Sequence, residues 1–182
     1  MELTFDIRDW WAKTQEIILR PGKFFVRAKK EKGIKASLSF FLTLSLVGAA
    51  IQLVASFLPV FAPPAGLNTI LFVVFPYIIG IVSSFAMAFF LHLWLKVFGS
   101  KDSFDKAYQL FVYSSTPGLL LRGIPIAGLA AGFYGLYLLI LGTEVFYGLG
   151  RKRTLLAYVI LFLFVAIILT NSKFPFLSRI FS

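Results

Sequence analysis

The sequence predicts an all-α fold, a polytopic membrane helical bundle of five transmembrane helices with an N-terminal interfacial amphipathic helix. Three observations carry this. Of the 182 residues, 59% are apolar, 18% aromatic and only 14% charged, whereas soluble domains run nearer half apolar and a quarter charged, so lipid must cover part of the surface. Five apolar runs, separated by charged or proline-rich breaks, approach the roughly 17–25 residues that a helix rising 1.5 Å per residue needs to span a bilayer. The Lys and Arg residues gather on alternate connections, as the positive-inside rule requires.

Residues 1–35 read as a cytosolic amphipathic and basic interfacial segment. From Leu3, apolar residues recur at Ile7, Trp10, Trp11, Ile17 and Ile18, with Thr14 among them, as one stripe of a helix. On its other face Asp9 with Lys13, and Glu16 with Arg20, form acid-to-base pairs four residues apart. Trp on one side and mixed charge on the other suit a helix lying in the headgroup plane. Pro21-Gly22 ends it, and Phe24 and Phe25 open a short basic helix carrying Arg27, Lys29, Lys30 and Lys32. Trp10, Trp11, Phe24 and Phe25 are the expected membrane-interface anchors. No apolar run precedes Ile34, so a cleavable signal peptide is not expected.

Residues 36–170 are the expected transmembrane domain, with spans at about 36–58, 68–95, 104–121, 124–150 and 154–170. The first is closed by Pro59 and followed by the uncharged link "PVFAPPAG". Asn68 is placed to cap the second, and Ser103 the third, with Asp105 in the first turn of the third. Pro125 begins the fourth, and residues 171–182 are a short basic, aromatic tail.

If the third run spans, one side of the membrane holds nine Lys or Arg in residues 1–35, three in 96–106 and three in 151–153. The other side holds Arg122, Lys173 and Arg179. Fifteen against three places the N-terminus in the cytoplasm and the C-terminus outside. The third run has only about fifteen residues between Lys106 and Arg122, short for a lipid-facing span, so its place is among other helices. Its hydroxyls, Ser114, Ser115 and Thr116, can bond to carbonyls one turn back, and Pro117 frees the carbonyl of Tyr113, which predicts a kink.

In the fourth run Gly128 and Gly132 form G-x-x-x-G and Gly135 continues nearly the same face, a helix-packing signal that fits a neighbour in the bundle or in a second copy. Glu144 is the one acid deep within a run, and His92, the only histidine, lies at a similar depth. An acid at that depth is a candidate functional residue, and with His92 it could relay a proton or hold a cation. The plainer reading has Glu144 reaching the headgroups or bonding to Tyr147.

Catalytic residues, cofactors and metals are not expected. Cysteine is absent, one histidine with one buried acid is too few ligands, and no hydrolase, zinc-protease or phosphate-loop motif occurs. The net charge of +10 lies beside apolar runs, which points to anionic lipid headgroups and away from nucleic acid.

The stretch "FLHLWLKVFGSKDSFDKAYQLFVYSSTPGLLLRGIPIAG", Phe90 to Gly128, resembles the central block of the Yip family, the five-span Ypt/Rab-interacting membrane proteins. His92, Gly99, Phe104, Tyr113, Pro117, Ile124 and Pro125 carry the resemblance. Ser100 stands where a second glycine is frequent in the family. "W…PGKFF", with Trp11, Pro21, Phe24 and Phe25, is similar to the start of prokaryotic members. The resemblance implies a non-enzymatic protein of membrane organisation, lipid contact or partner recruitment, with membrane-protein partners or a homo-oligomer possible. The N-terminal region by which eukaryotic relatives bind small GTPases is not matched, so a GTPase partner is not expected. The alternative, from the residues themselves, is a small transporter or channel using the polar third span with Glu144 and His92.

Overall fold

The computed structural model describes residues 7–58, 68–121 and 124–177. They form helices α1 (Ile7–Leu19), α2 (Pro21–Ala28), α3 (Lys35–Ala55), α4 (Thr69–Val97), α5 (Phe104–Ser114), α6 (Thr116–Leu120), α7 (Pro125–Tyr147) and α8 (Arg151–Leu177), and no strand occurs among the described residues. The proline link and Arg122 lie outside the described residues. Among the described residues three helices are long and apolar enough to cross a membrane: α3, α4 and residues Ala127–Tyr147 of α7. At about 1.5 Å per residue, the 29 residues of α4 exceed the thickness of a bilayer core. α8 continues as helix to Leu177, into the segment that the sequence assigns to the tail.

Local signals explain the boundaries. Asn68 accepts a hydrogen bond from the backbone N–H of Ile70 at 2.8 Å and so caps α4. Ser103 occupies the N-cap position of α5 in extended conformation, but its hydroxyl makes no capping bond. Pro21 sits at the start of α2, where its missing N–H costs nothing. Gly148, in the left-handed region at φ 60°, closes α7. Pro117 cannot donate to the carbonyl of Tyr113, and the third run breaks at Ser115 into α5 and α6.

α5 is the axis of the bundle. Ala107, Tyr108, Gln109, Leu110, Val112, Tyr113 and Ser114 are all buried, and α3, α4 and α7 pack around them. The outer faces of α4 and α8 instead expose large apolar side chains such as Phe75, Ile79, Phe90, Leu156 and Phe162. In water that surface would be unfavourable by about 25 cal/mol per Å²; against acyl chains it is at home.

Candidate functional site

The N-terminal helices are docked into the bundle. Ile17, Phe24, Phe25 and Ala28 are fully buried in the common core. Phe24 meets Tyr113 edge-on at 4.8 Å, and Phe25 meets Phe146 at 5.5 Å. Phe25 has room because Gly142 has no Cβ; an added one would come 2.8 Å from Phe25 Cε1 and 2.4 Å from Leu110 Cδ1. At the far end of α1, Tyr134 donates its hydroxyl hydrogen to the carbonyl of Ile18 at 2.6 Å. Phe24 and Phe25, expected as membrane-interface anchors, are therefore covered by protein. Trp11 is half exposed, and Trp10 is partly buried with its ring 6.4 Å from Phe40.

A polar stripe on α5 holds this hairpin. Lys106, Gln109 and Tyr113 lie three and four residues apart, on one helix face. Lys106 Nζ donates to the carbonyls of Lys29 at 2.7 Å and Glu31 at 2.6 Å and to Gln109 Oε1 at 3.0 Å. All three ammonium donors are used, and two of the acceptors lie just past the C-terminal end of α2, where a cation is favoured. Gln109 Nε2 donates to the carbonyl of Gly33 at 2.7 Å and more weakly to that of Glu31 at 3.3 Å. The α2–α3 linker is thus fixed by two side chains from a helix more than seventy residues downstream.

Above this clamp the Tyr113 hydroxyl donates to Glu31 Oε2 and accepts from Lys13 Nζ at 2.9 Å, while Lys13 also reaches Glu31 Oε1 at 3.1 Å. The Lys13 ammonium lies 4.6 Å from the Tyr113 ring centroid and 5.5 Å from that of Phe40, distances at which the ring quadrupoles attract it. Beside it, Glu16 pairs with Arg27 across α1 and α2. In place of the four-residue pairs expected on α1, Lys13 and Glu16 make these tertiary ones. Asp9, Lys13, Glu16, Arg27 and Glu31 border a cleft of about 320 Å³ at this junction. Chemically the arrangement is a clamp whose donors and acceptors satisfy one another.

The other sequence-predicted residues scatter. Ser114 and Ser115 bond back to carbonyls of the preceding turn, at 2.6 Å to Leu110 and 2.7 Å to Phe111. Thr116 and Pro117 are buried. His92 lies edge-on to Phe104 at 6.1 Å, and its Nδ1 is buried with no partner among the described residues. Glu144 is half-buried. Among the described residues no hydrogen bond or ion pair joins it to His92, and the buried Tyr147 hydroxyl is likewise unpartnered. Of the packing glycines, a Cβ on Gly135 would come 2.9 Å from the carbonyl of Ser114, whereas one on Gly132 would meet nothing within 4 Å and one on Gly128 only ordinary contact at 3.5 Å with the Leu121 carbonyl. The close-packed face of α7 therefore runs through Gly135 and Gly142, two turns apart, and the G-x-x-x-G pair is not its centre.

Sequence reasoning passed over Lys13, Glu31, Lys106 and Gln109 as site residues. The signal was present: an amide and a cation at helical spacing with Tyr113, inside an otherwise apolar run.

Among known proteins, no curated protein and no solved structure matches the chain. Residues 16–170 match the Yip1 domain, a stretch that takes in α2 to α7, most of α8 and the clamp residues from Arg27 to Tyr113. That match covers most of the chain, and the chain belongs to the Yip1 domain family.

Proposed function

We propose that this protein is a non-enzymatic, five-span membrane protein with a cytoplasmic N-terminus, which contacts anionic lipid and recruits partners through its inner face. The observation that carries the reading is where charge goes. Inside, the polar groups of Lys13, Glu31, Lys106, Gln109 and Tyr113 are spent on holding the N-terminal hairpin. Outside, Lys23, Lys30, Lys32, Lys35, Arg151, Lys152 and Arg153 are exposed, with Trp11, Leu19 and Val26 as exposed apolar neighbours. Cations beside apolar side chains suit a leaflet of anionic lipid, at about 1 kcal/mol per Lys or Arg near the surface.

The test is reconstitution with phosphatidylcholine and phosphatidylglycerol, followed by analysis of the lipids that remain bound on purification. Phosphatidylglycerol should be enriched, and Lys30→Gln with Lys32→Gln and Lys35→Gln should lower the enrichment. The same vesicles should show no proton or ion flux above empty ones. Flux that Glu144→Gln abolishes, or equal retention of the two lipids, refutes the reading.

A further inference from the structure

Four cations around the N-terminal hairpin are held by acceptors of the protein itself: Lys13 by Glu31 and Tyr113, Arg27 by Glu16, Lys29 by the carbonyl of Val145 at 2.9 Å, and Lys106 by the carbonyls of Lys29 and Glu31. Arg151, Lys152 and Arg153, at the start of α8, are not. They are exposed, and among the described residues none of their side chains has an ion pair or a hydrogen bond. All three border a single cavity of about 410 Å³, which residues 148–153 line. Gly148 and Gly150 add no side chain to it, and a Cβ at either would meet nothing within 4 Å, so the space over the loop backbone is open. The depth of the cavity follows from α7. The membrane-crossing part of that helix ends at Tyr147, so the loop that comes next stands at the boundary between acyl chains and headgroups. Along α8, Leu155 and Leu156 follow Arg151 and Lys152 by four residues, Val159 and Ile160 follow them by eight, and all four apolar side chains are exposed. Positive charge above an uncovered apolar track matches the outline of a phospholipid, with its phosphate at the loop and its chains along α8.

We infer that the α7–α8 loop is a binding site for the headgroup of one phospholipid, and that the headgroup it takes is a phosphate monoester, as in phosphatidate. The inference rests on the proposed reading of the inner face as a surface for anionic lipid, and names one place on it. Three uncompensated cations call for more than one negative charge. A phosphodiester such as phosphatidylglycerol brings a single charge, whereas a monoester brings about two and leaves three oxygens free to accept hydrogen bonds. Arginine suits that acceptor, because its planar fork makes two parallel bonds to a phosphate. The same three cations also count toward the positive-inside bias. That role needs charge alone. A headgroup site needs the cavity and the guanidinium groups as well, so the two roles part on substitutions that keep the charge.

The full chain is reconstituted in phosphatidylcholine vesicles that contain phosphatidate and phosphatidylglycerol in equal small amounts, then purified, and the retained lipid is analysed. Phosphatidate should exceed phosphatidylglycerol by about fivefold. Gly150→Leu fills the cavity without changing a charge, and Arg151→Lys with Arg153→Lys keeps every charge but gives up the two-point bonds. On protein that keeps its melting temperature within a few degrees, each should bring phosphatidate down to the level of phosphatidylglycerol. If Gly150→Leu does not fold, the lysine variant decides alone. Lys30→Gln with Lys32→Gln, on the hairpin side, should lower both lipids in parallel and leave their ratio unchanged. Equal enrichment of the two anionic lipids over phosphatidylcholine overturns the monoester site and leaves the broader reading standing, while enrichment of neither overturns both. A preference for phosphatidate that survives the charge-keeping variants means diffuse attraction and overturns the site. Complete displacement of bound phosphatidate by millimolar inorganic phosphate would show that the chains contribute nothing, and overturns the assignment to a lipid.

Discussion

Replacing single glycines by alanine separates those that the structure sets against a neighbouring backbone from Gly132, which meets nothing. A Cβ at position 48 would lie 2.3 Å from the carbonyl oxygen of Leu119 and one at position 135 would lie 2.9 Å from that of Ser114, while one at position 132 would meet nothing within 4 Å. In the first two cases the obstacle is backbone, so relief requires shifting a helix; at position 48 the deficit from ordinary contact is roughly 1 Å. Overpacking of that kind costs about 1–3 kcal/mol. Against it, alanine gains about 0.5–1 kcal/mol over glycine by reducing the freedom of the unfolded chain. Gly132→Ala should therefore be neutral or slightly stabilising, and Gly48→Ala and Gly135→Ala destabilising. The separation of about 1–3 kcal/mol corresponds to roughly 3–10 °C for a chain of this size. Thermal unfolding of the three variants in the same detergent, followed by retention of the monodisperse peak, measures it. If Gly132→Ala melts as low as Gly48→Ala, the assigned face of α7 is wrong. If Gly48→Ala melts with the parent, so is the close approach of α3 to α6.

Tyr113→Phe removes the hydroxyl shared by Lys13 and Glu31; a loss of about 1–3 kcal/mol is expected, and an unchanged melting temperature would show that the hydroxyl holds nothing. Glu144→Gln should leave the folded bundle intact, since no hydrogen bond or ion pair ties that carboxylate to the described residues; a variant that fails to fold would assign it a structural role. Single cysteines at Lys101, Arg122 and Lys152, probed with an impermeant thiol reagent in sealed vesicles, test the five-span topology. Arg122→Cys should label from the side opposite the other two, and labelling from the same side would make α5 and α6 a re-entrant pair.

The helical class, the capping at Asn68 and the break before Pro117 were legible because each depends on residues close together in sequence. The docking of the N-terminal hairpin was not. Amphipathicity says that one face of a helix is apolar; whether lipid or protein covers it depends on distant residues. Phe25 is buried in protein because Gly142 leaves space on α7 and Phe146 offers a ring, both more than a hundred residues away. The same holds for charge. A four-residue pair such as Asp9 with Lys13 is the only one that sequence can propose, yet it contributes no more than about 0.5 kcal/mol when exposed. Three rings around a partly buried ammonium, with a carboxylate and a phenol in reach, outweigh it. For the glycines the sequence located the helix and, in Gly135, its packed face; that Gly132, about 60° round the helix from Gly135, meets nothing depends on the neighbour and not on the motif.

The shortness of the third run, which marks it as a poor lipid-facing span, is what lets it serve as the axis. A helix against acyl chains must be apolar over its whole length and long enough to bring its ends to water. A helix surrounded by α3, α4 and α7 is released from both demands. It can carry Lys106 and Gln109 on one face because the α2–α3 linker supplies their acceptors, and it can break at Ser115 because α3 and α7 flank the break, Gly48 against Leu119 and Gly135 against Ser114. The hydroxyls of Ser114 and Ser115 turn back to their own helix, and it is Lys106, Gln109 and Tyr113 that join the basic N-terminal hairpin to the centre of the bundle.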